Sequence, residues 1–304
     1  MLTSRVICDS ISDSGVRLTT LQLRYPRMVH ADFMTHRVFS RNGRSSRAVP
    51  FATLVKETPY VPHFMMNQPG MVASQEMSDE DRGEAERIWM YAAEQCQRSA
   101  GYLAELGVHK QWINRMLEWF GYIDVLVTST DWANFFELRL DGGAQPEIIQ
   151  LAEAIKASMD ASTPMRTPRT AWHLPYIDYA LDAVAAAKYL EENGADLDGM
   201  SLEDGGIMIM DVLKKISVAR CARLTIKPFD GDGSIEKELK RYDLLMVSRP
   251  VHASPAEHIA TPDDIYRRRG TNGEIEWMHG GEHGNYYGWR QFRKMIDNNT
   301  IYDR

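Results

Sequence analysis

Cysteine is scarce in this sequence: Cys8, Cys96 and Cys221 stand far apart, and no CxxC pair occurs. That excludes a disulfide framework and a zinc ribbon, and fits a reducing, cytoplasmic setting. Long apolar runs are missing as well. No stretch approaches the roughly 20 residues of a bilayer-spanning helix, and MLTSRVICDSISDSG lacks the apolar centre of a secretion signal. A soluble, cytoplasmic protein with no membrane partner is therefore expected. Excess positive charge is also lacking. The formal net charge is −7, whereas a generic nucleic-acid binder is usually basic, so no nucleic-acid partner is expected. Neither GxxxxGKS/T nor a GxGxxG following a strand occurs, which excludes the P-loop and dinucleotide-fold ways of holding a nucleotide.

What is present is enough for a sizeable core: 44% of the 304 residues are hydrophobic. Residues 15–33 read as strand, turn and strand. A long helix over 79–106 is capped by Ser78 and stopped by Gly107. A second helix covers about 109–123, with Trp112, Ile113, Leu117 and Phe120 on one side. Pro146 opens a third, whose stripe of Ile148, Leu151, Ala152 and Ile155 predicts burial. Residues 160–176 are punctuated by prolines and read as a connector. Further helices are expected near 177–193, 205–221 and 234–247. The pattern predicts an α+β protein with a small mixed or antiparallel sheet against helices. It reads as a single domain over 1–304, with 160–205 as a connector or insert between 1–159 and 206–304.

Against the acidic whole, the segment MTHRVFSRNGRSSRAVP (34–50) contains no acid. Arg37, Arg41, Arg44 and Arg47 alternate there with Ser40, Asn42, Ser45 and Ser46. Guanidinium forks bind phosphate bidentately, and hydroxyls complete such a cradle; the competing reading is a solvated basic loop. HGGEH (279–283) has the spacing of certain zinc-protease motifs, but two adjacent glycines oppose the helix that chemistry needs, so no metal is expected. Arg139, after NFFEL, either pairs with Glu137 or Asp141 or projects into a pocket.

THRVFSRNGRSSR resembles the signature of the flavin-dependent thymidylate synthases, with His36, Arg37, Asn42, Ser45 and Arg47 in register. NFFELRLDGGAQPEI resembles that family's second block and places Asn134, Leu138, Arg139, Ala144, Gln145 and Glu147. HASPAEH resembles a third and places His252, Ser254, Glu257 and His258, while ARLTI resembles a fourth, placing Arg223 and Thr225. In the family the last two blocks come first, so the motif order here is that of a circular permutation.

The resemblance implies transfer of a one-carbon unit from 5,10-methylenetetrahydrofolate to C5 of dUMP, with FAD carrying hydride from NADPH. It implies a homotetramer with sites at subunit interfaces. Arg139 and Ser45 would be catalytic. The pyrimidine deoxynucleoside monophosphate would lie against Ser45, Arg47, Arg139, Gln111, Asn114 and Arg115. FAD would meet His36, Arg37, Asn42, Asn134, Thr225, Ser254 and Glu257, with His252 at the folate or flavin ring. Thr35 stands where the family has arginine, Gly43 where it has glutamate, Asp32 where it has glutamine, and Thr128-Ser129-Thr130 where it has Asn-x-Arg. Arg41 and Arg44 are candidate replacement cations. These departures leave room for dCMP as acceptor, for hydroxymethylation, or for a catalytically inactive flavin- or nucleotide-binding homologue.

Overall fold

The computed structural model describes residues 1–70, 72–228, 231–269 and 274–296. Its centre is a five-stranded mixed sheet in the order β3-β4-β2-β1-β5. The strands are β1 (Thr3–Ser12), β2 (Arg17–Pro26), β3 (Ser40–Gly43), β4 (Tyr122–Ser129) and β5 (Met165–Thr167). Only β1 and β5 run parallel; the other pairs are antiparallel.

Alternation along β2 sorts its side chains between two differently furnished faces. Leu21, Leu23 and Tyr25, with Ile123, Val125 and Val127 of β4, face one core. Helix α1 (His30–Met34) contributes Phe33 to it, and α2 (Phe51–Leu54) follows the Arg-rich segment. The long α3 (Asp79–Glu105) begins where Ser78 Oγ accepts from Asp81 N–H, and ends just before Gly107, which has φ +78°. After α4 (Lys110–Met116) and β4 come α5 (Ala133–Arg139) and α6 (Pro146–Asp160), which has proline in its first turn. Ile148, Leu151, Ala152 and Ile155 of α6 are all buried, and Leu151, Ala152 and Ile155 cover this face of the sheet.

The opposite face is more polar and is covered by the second half of the chain. It uses α7 (Tyr179–Glu192), α8 (Leu202–Arg223) and α9 (Ile235–Tyr242), with a π-turn at Asp243–Val247 and a 3₁₀ turn at Ser254–His258. These pack on one another around Val212, Leu213, Ile216, Ala256 and Ile259. Leu126 meets Tyr176, Cys221 and Leu224 beneath the sheet. The last elements among the described residues are β6 (Ala260–Pro262), β7 (Ile265–Arg269), β8 (Glu274–Trp277), β9 (Trp289–Gln291) and α10 (Phe292–Met295). No helix among the described residues is long and apolar enough to cross a membrane.

Three local expectations change. Residues 27–34 form a 3₁₀ turn and α1 rather than a strand, because Val29 and Phe33, four apart, are buried together. The strand pairing with β2 is instead β1, whose polar sequence TSRVICDSIS hides its role. The helix expected to 123 stops at Met116 and passes through a 3₁₀ turn into β4, leaving Trp112 exposed. The connector also contains β5, which extends the sheet beside β1.

Candidate active site

The Arg-rich segment leaves α1, forms β3 at the sheet edge, and turns at Ser46–Ala48. A single buried side chain fixes that turn. Asn114 of α4 is fully buried, and its Nδ2 donates to the carbonyls of Ser46 at 2.8 Å and Val49 at 3.0 Å. Ser46 Oγ donates to Glu118, which also pairs with Arg27 at 3.2 Å. These bonds bring Ser45, Arg47, Gln111, Asn114 and Arg115 into one neighbourhood, with Ser45 and Arg47 exposed. Asn114→Ala leaves two carbonyls without their donor, so a loss of about 2 kcal/mol is expected in urea unfolding.

Arg139 sits at the last position of α5, half-buried. Its Nε donates to His36 Nε2 at 2.9 Å, and its Nη2 to Thr35 Oγ1 at 3.2 Å and the Asp32 carbonyl at 3.4 Å. It pairs with neither Glu137 nor Asp141. All three partners are uncharged: accepting at Nε2 requires neutral His36, and burial, then Arg139 and Arg41, hold that imidazole's pKa below its ordinary value. His36 packs edge-on against Phe135, 4.9 Å between centroids. The guanidinium is thus held in place with its charge uncompensated. Thr35 is one of the groups that hold it.

Asn42 donates to the carbonyls of Cys221 at 2.9 Å and Ala222 at 3.4 Å, capping the C-terminal end of α8. That end carries Arg223 and Thr225. Arg223 pairs at 2.5 Å with Glu238, a buried carboxylate that also takes Arg241 at 3.2 Å. Thr225 lines an open recess of about 260 Å³ with Arg5, Gln22, Arg44 and Lys227. Asn134 is exposed on α5. His252 is exposed just ahead of the 3₁₀ turn that bears Ser254 and Glu257. Of the two candidate replacement cations, Arg44 pairs with Asp124 at 3.4 Å. Arg41 lines a groove of about 390 Å³ together with Arg37 and Glu257.

The C-terminal blocks are anchored by buried contacts that no motif pairs together. Thr128 Oγ1 lies 2.8 Å from His258 Nδ1 and 2.6 Å from Thr20 Oγ1, and Thr20 lies 2.7 Å from His173 Nε2. Thr130 Oγ1 accepts from Tyr287 N–H at 3.0 Å. Thr128 and Thr130 are therefore where the C-terminal half docks on the sheet. His279 and His283 flank the short 3₁₀ turn Gly280–Glu282 rather than sharing one helical face, and both bond Asp263 at 2.8 Å.

With this geometry in hand, a family model described as thymidylate synthase complementing protein matches residues 18–165. Over that span the chain resembles the flavin-dependent thymidylate synthases. The matched span holds the sheet strands β2 to β4, the Arg-rich segment and Arg139. The blocks at 223–225 and 252–258 lie outside it. Among solved structures, a UMP/dUMP methylase, PolB from Streptomyces cacaoi, bound with 5-Br UMP, is 20% identical with a TM-score of 0.44, covering 52% of this chain and 88% of that one. No curated protein matches the chain.

Proposed function

We propose that this protein transfers a one-carbon unit from 5,10-methylenetetrahydrofolate to C5 of dUMP, forming dTMP, with NADPH as the reductant. The observation that carries this reading is Arg139, a guanidinium held by His36, Thr35 and the Asp32 carbonyl with no carboxylate partner among the described residues. A fixed, uncompensated cation against a pyrimidine carbonyl stabilises the enolate-like, N3-deprotonated form of the ring, whose C5 is the nucleophile that then attacks a carbon electrophile. No cysteine adduct is needed to activate C5. Burial supports this, raising the Cys8 thiol to about 12 and pushing Cys221 up further.

Ser45 and Arg47 are exposed, joined by a 3.4 Å hydrogen bond from Arg47 Nε to Ser45 Oγ, and positioned to meet the nucleotide phosphate, with Gln111 and Arg115 beside them and Asn114 fixing their turn. Bound FAD would supply the hydride. The residues suited to it are His36, Arg37, Asn134, Ser254 and Glu257, with His252 near the ring. Asn42 and Thr225 support the adjoining α8 end. The cationic groove at Arg37 and Arg41 fits a phosphate-bearing cofactor. No hydrogen bond or ion pair among the described residues joins the Ser45–Asn114 group to the Arg139–His36 group. In a homotetramer with sites at subunit interfaces, as the resemblance implies, the two groups that meet one nucleotide would come from different subunits.

The test offers purified protein dUMP or dCMP with FAD, NADPH and methylenetetrahydrofolate, and reads the product by mass spectrometry. Methylated dUMP is expected. Hydroxymethylated product, or product from dCMP alone, replaces the stated reaction by its close variant. Flavin-bound protein giving no product from either leaves a binding module.

A further inference from the structure

The groove at Arg37 has two walls that come from opposite ends of the chain. Arg37, Phe39 and Arg41 form one; Gly284, Asn285, Gln291, Arg293 and Lys294 form the other, with Glu257 between them. The tail wall is tied to the Arg-rich segment by hydrogen bonds. Asn285 Nδ2 donates to the Val38 carbonyl at 2.9 Å, Ser40 Oγ donates to Asn285 Oδ1 at 3.0 Å, and buried Gln291 donates to Ser40 Oγ at 3.1 Å. These contacts set Arg293 and Lys294 across from Arg37 and Arg41.

Four cations thus face one carboxylate in a groove of about 390 Å³, on a chain whose net charge is −7. Glu257 is engaged by Arg293 Nη1, while Arg293 Nε is buried without a partner. Arg37 and Lys294 make no ion pair or side-chain hydrogen bond among the described residues. Like charges gathered at this density repel one another, and a bound polyanion removes the repulsion. Four cations on two walls suit a ligand carrying several negative charges, such as two linked phosphates, better than a single carboxylate, which one guanidinium satisfies.

We propose that Arg293 and Lys294, contributed by the C-terminal tail outside the matched family span, close this groove as a clamp on the pyrophosphate of a dinucleotide cofactor. The assignment of that cofactor as FAD rests on the function proposed above; the clamp itself rests on the groove.

Isothermal titration of the full chain at low salt, with inorganic pyrophosphate and with FAD separately, tests it. Lys294 is exposed, so its substitution does not endanger folding. Lys294→Glu is expected to weaken both ligands by about 10- to 100-fold, Arg293→Gln by about tenfold, and Lys294→Arg to bind like the parent. Lys188→Glu, on exposed α7, is the control and is expected to change neither affinity. Pyrophosphate binding that depends on Lys294 without any FAD binding would uphold the clamp and remove the flavin assignment. FAD binding indifferent to Lys294→Glu would do the reverse. No pyrophosphate binding by the parent chain overturns the clamp.

Discussion

Arg139→Ala is expected to lower turnover on the pyrimidine nucleotide by about 10²- to 10³-fold, the loss that follows removal of one donor from a developing anion. The side chain is half-buried at the end of α5 and bonded to His36, Thr35 and the Asp32 carbonyl. It holds no ion pair, so alanine leaves no stranded carboxylate and the fold is expected to survive. Arg139→Lys is expected to recover little. One ammonium cannot bond His36 and Thr35 and still present a second edge to the base, as the planar fork can. Single-turnover rates on the folded variants check this. A fall in nucleotide affinity with an unchanged chemical rate would assign Arg139 to binding alone.

The second large effect concerns acid. His173 and His258 are fully buried and neutral, their pKa values pushed down to about 3 by burial, and His30 is pushed down to about 4 by burial and then by Arg27 and Arg41. In the unfolded chain each titrates near 6.5. Between those values the unfolded state takes up protons that the native state refuses. Stability is therefore full above the unfolded pKa and falls as pH drops toward the folded one. Each histidine contributes a slope of up to about 1.4 kcal/mol per pH unit. Urea midpoints are expected to decline steeply from about pH 6.5 to about pH 4.5, ahead of most carboxylate titration. His258→Gln, which keeps a hydrogen-bonding group against Thr128, is expected to flatten the decline. Midpoints constant over that range would show that these rings are not held neutral inside the fold.

Legibility differed sharply between elements. Helix α3 could be read because its boundaries are local chemistry: a serine cap at one end and a glycine at positive φ at the other. Helix α6 was equally plain, since Pro146 marks its first turn and its apolar stripe has helical period. β1 was not legible, because a strand lying between two others can carry serine and aspartate when those bond inward. Asp9 does so with Arg17, and Ser10 with His173. Arg139 emerged from motif resemblance, while its partner Thr35 looked like a loss. The tail was opaque for a different reason. Its contact with the Arg-rich segment joins residues 245 apart, Ser40 and Asn285, and Asn285 belongs to no motif. Likewise His258 matched a motif, but its place beneath the sheet is set by Thr128, 130 residues away.

Segments far apart in the sequence also meet in space. Asn42, in the first part of the chain, caps α8 at Cys221 and Ala222, and Thr130 holds Tyr287 of the tail. Segments distant in sequence are thereby assembled on one sheet.

The central claim is that this chain activates C5 of a pyrimidine deoxynucleotide. Release of tritium from C5-labelled dUMP, with FAD, NADPH and methylenetetrahydrofolate present, tests it most directly, because the C5 hydrogen must leave when a carbon takes its place. Release by the parent chain, lost in Arg139→Ala, is the expected result. Folded, flavin-loaded protein that releases no tritium from labelled dUMP or labelled dCMP would contradict it.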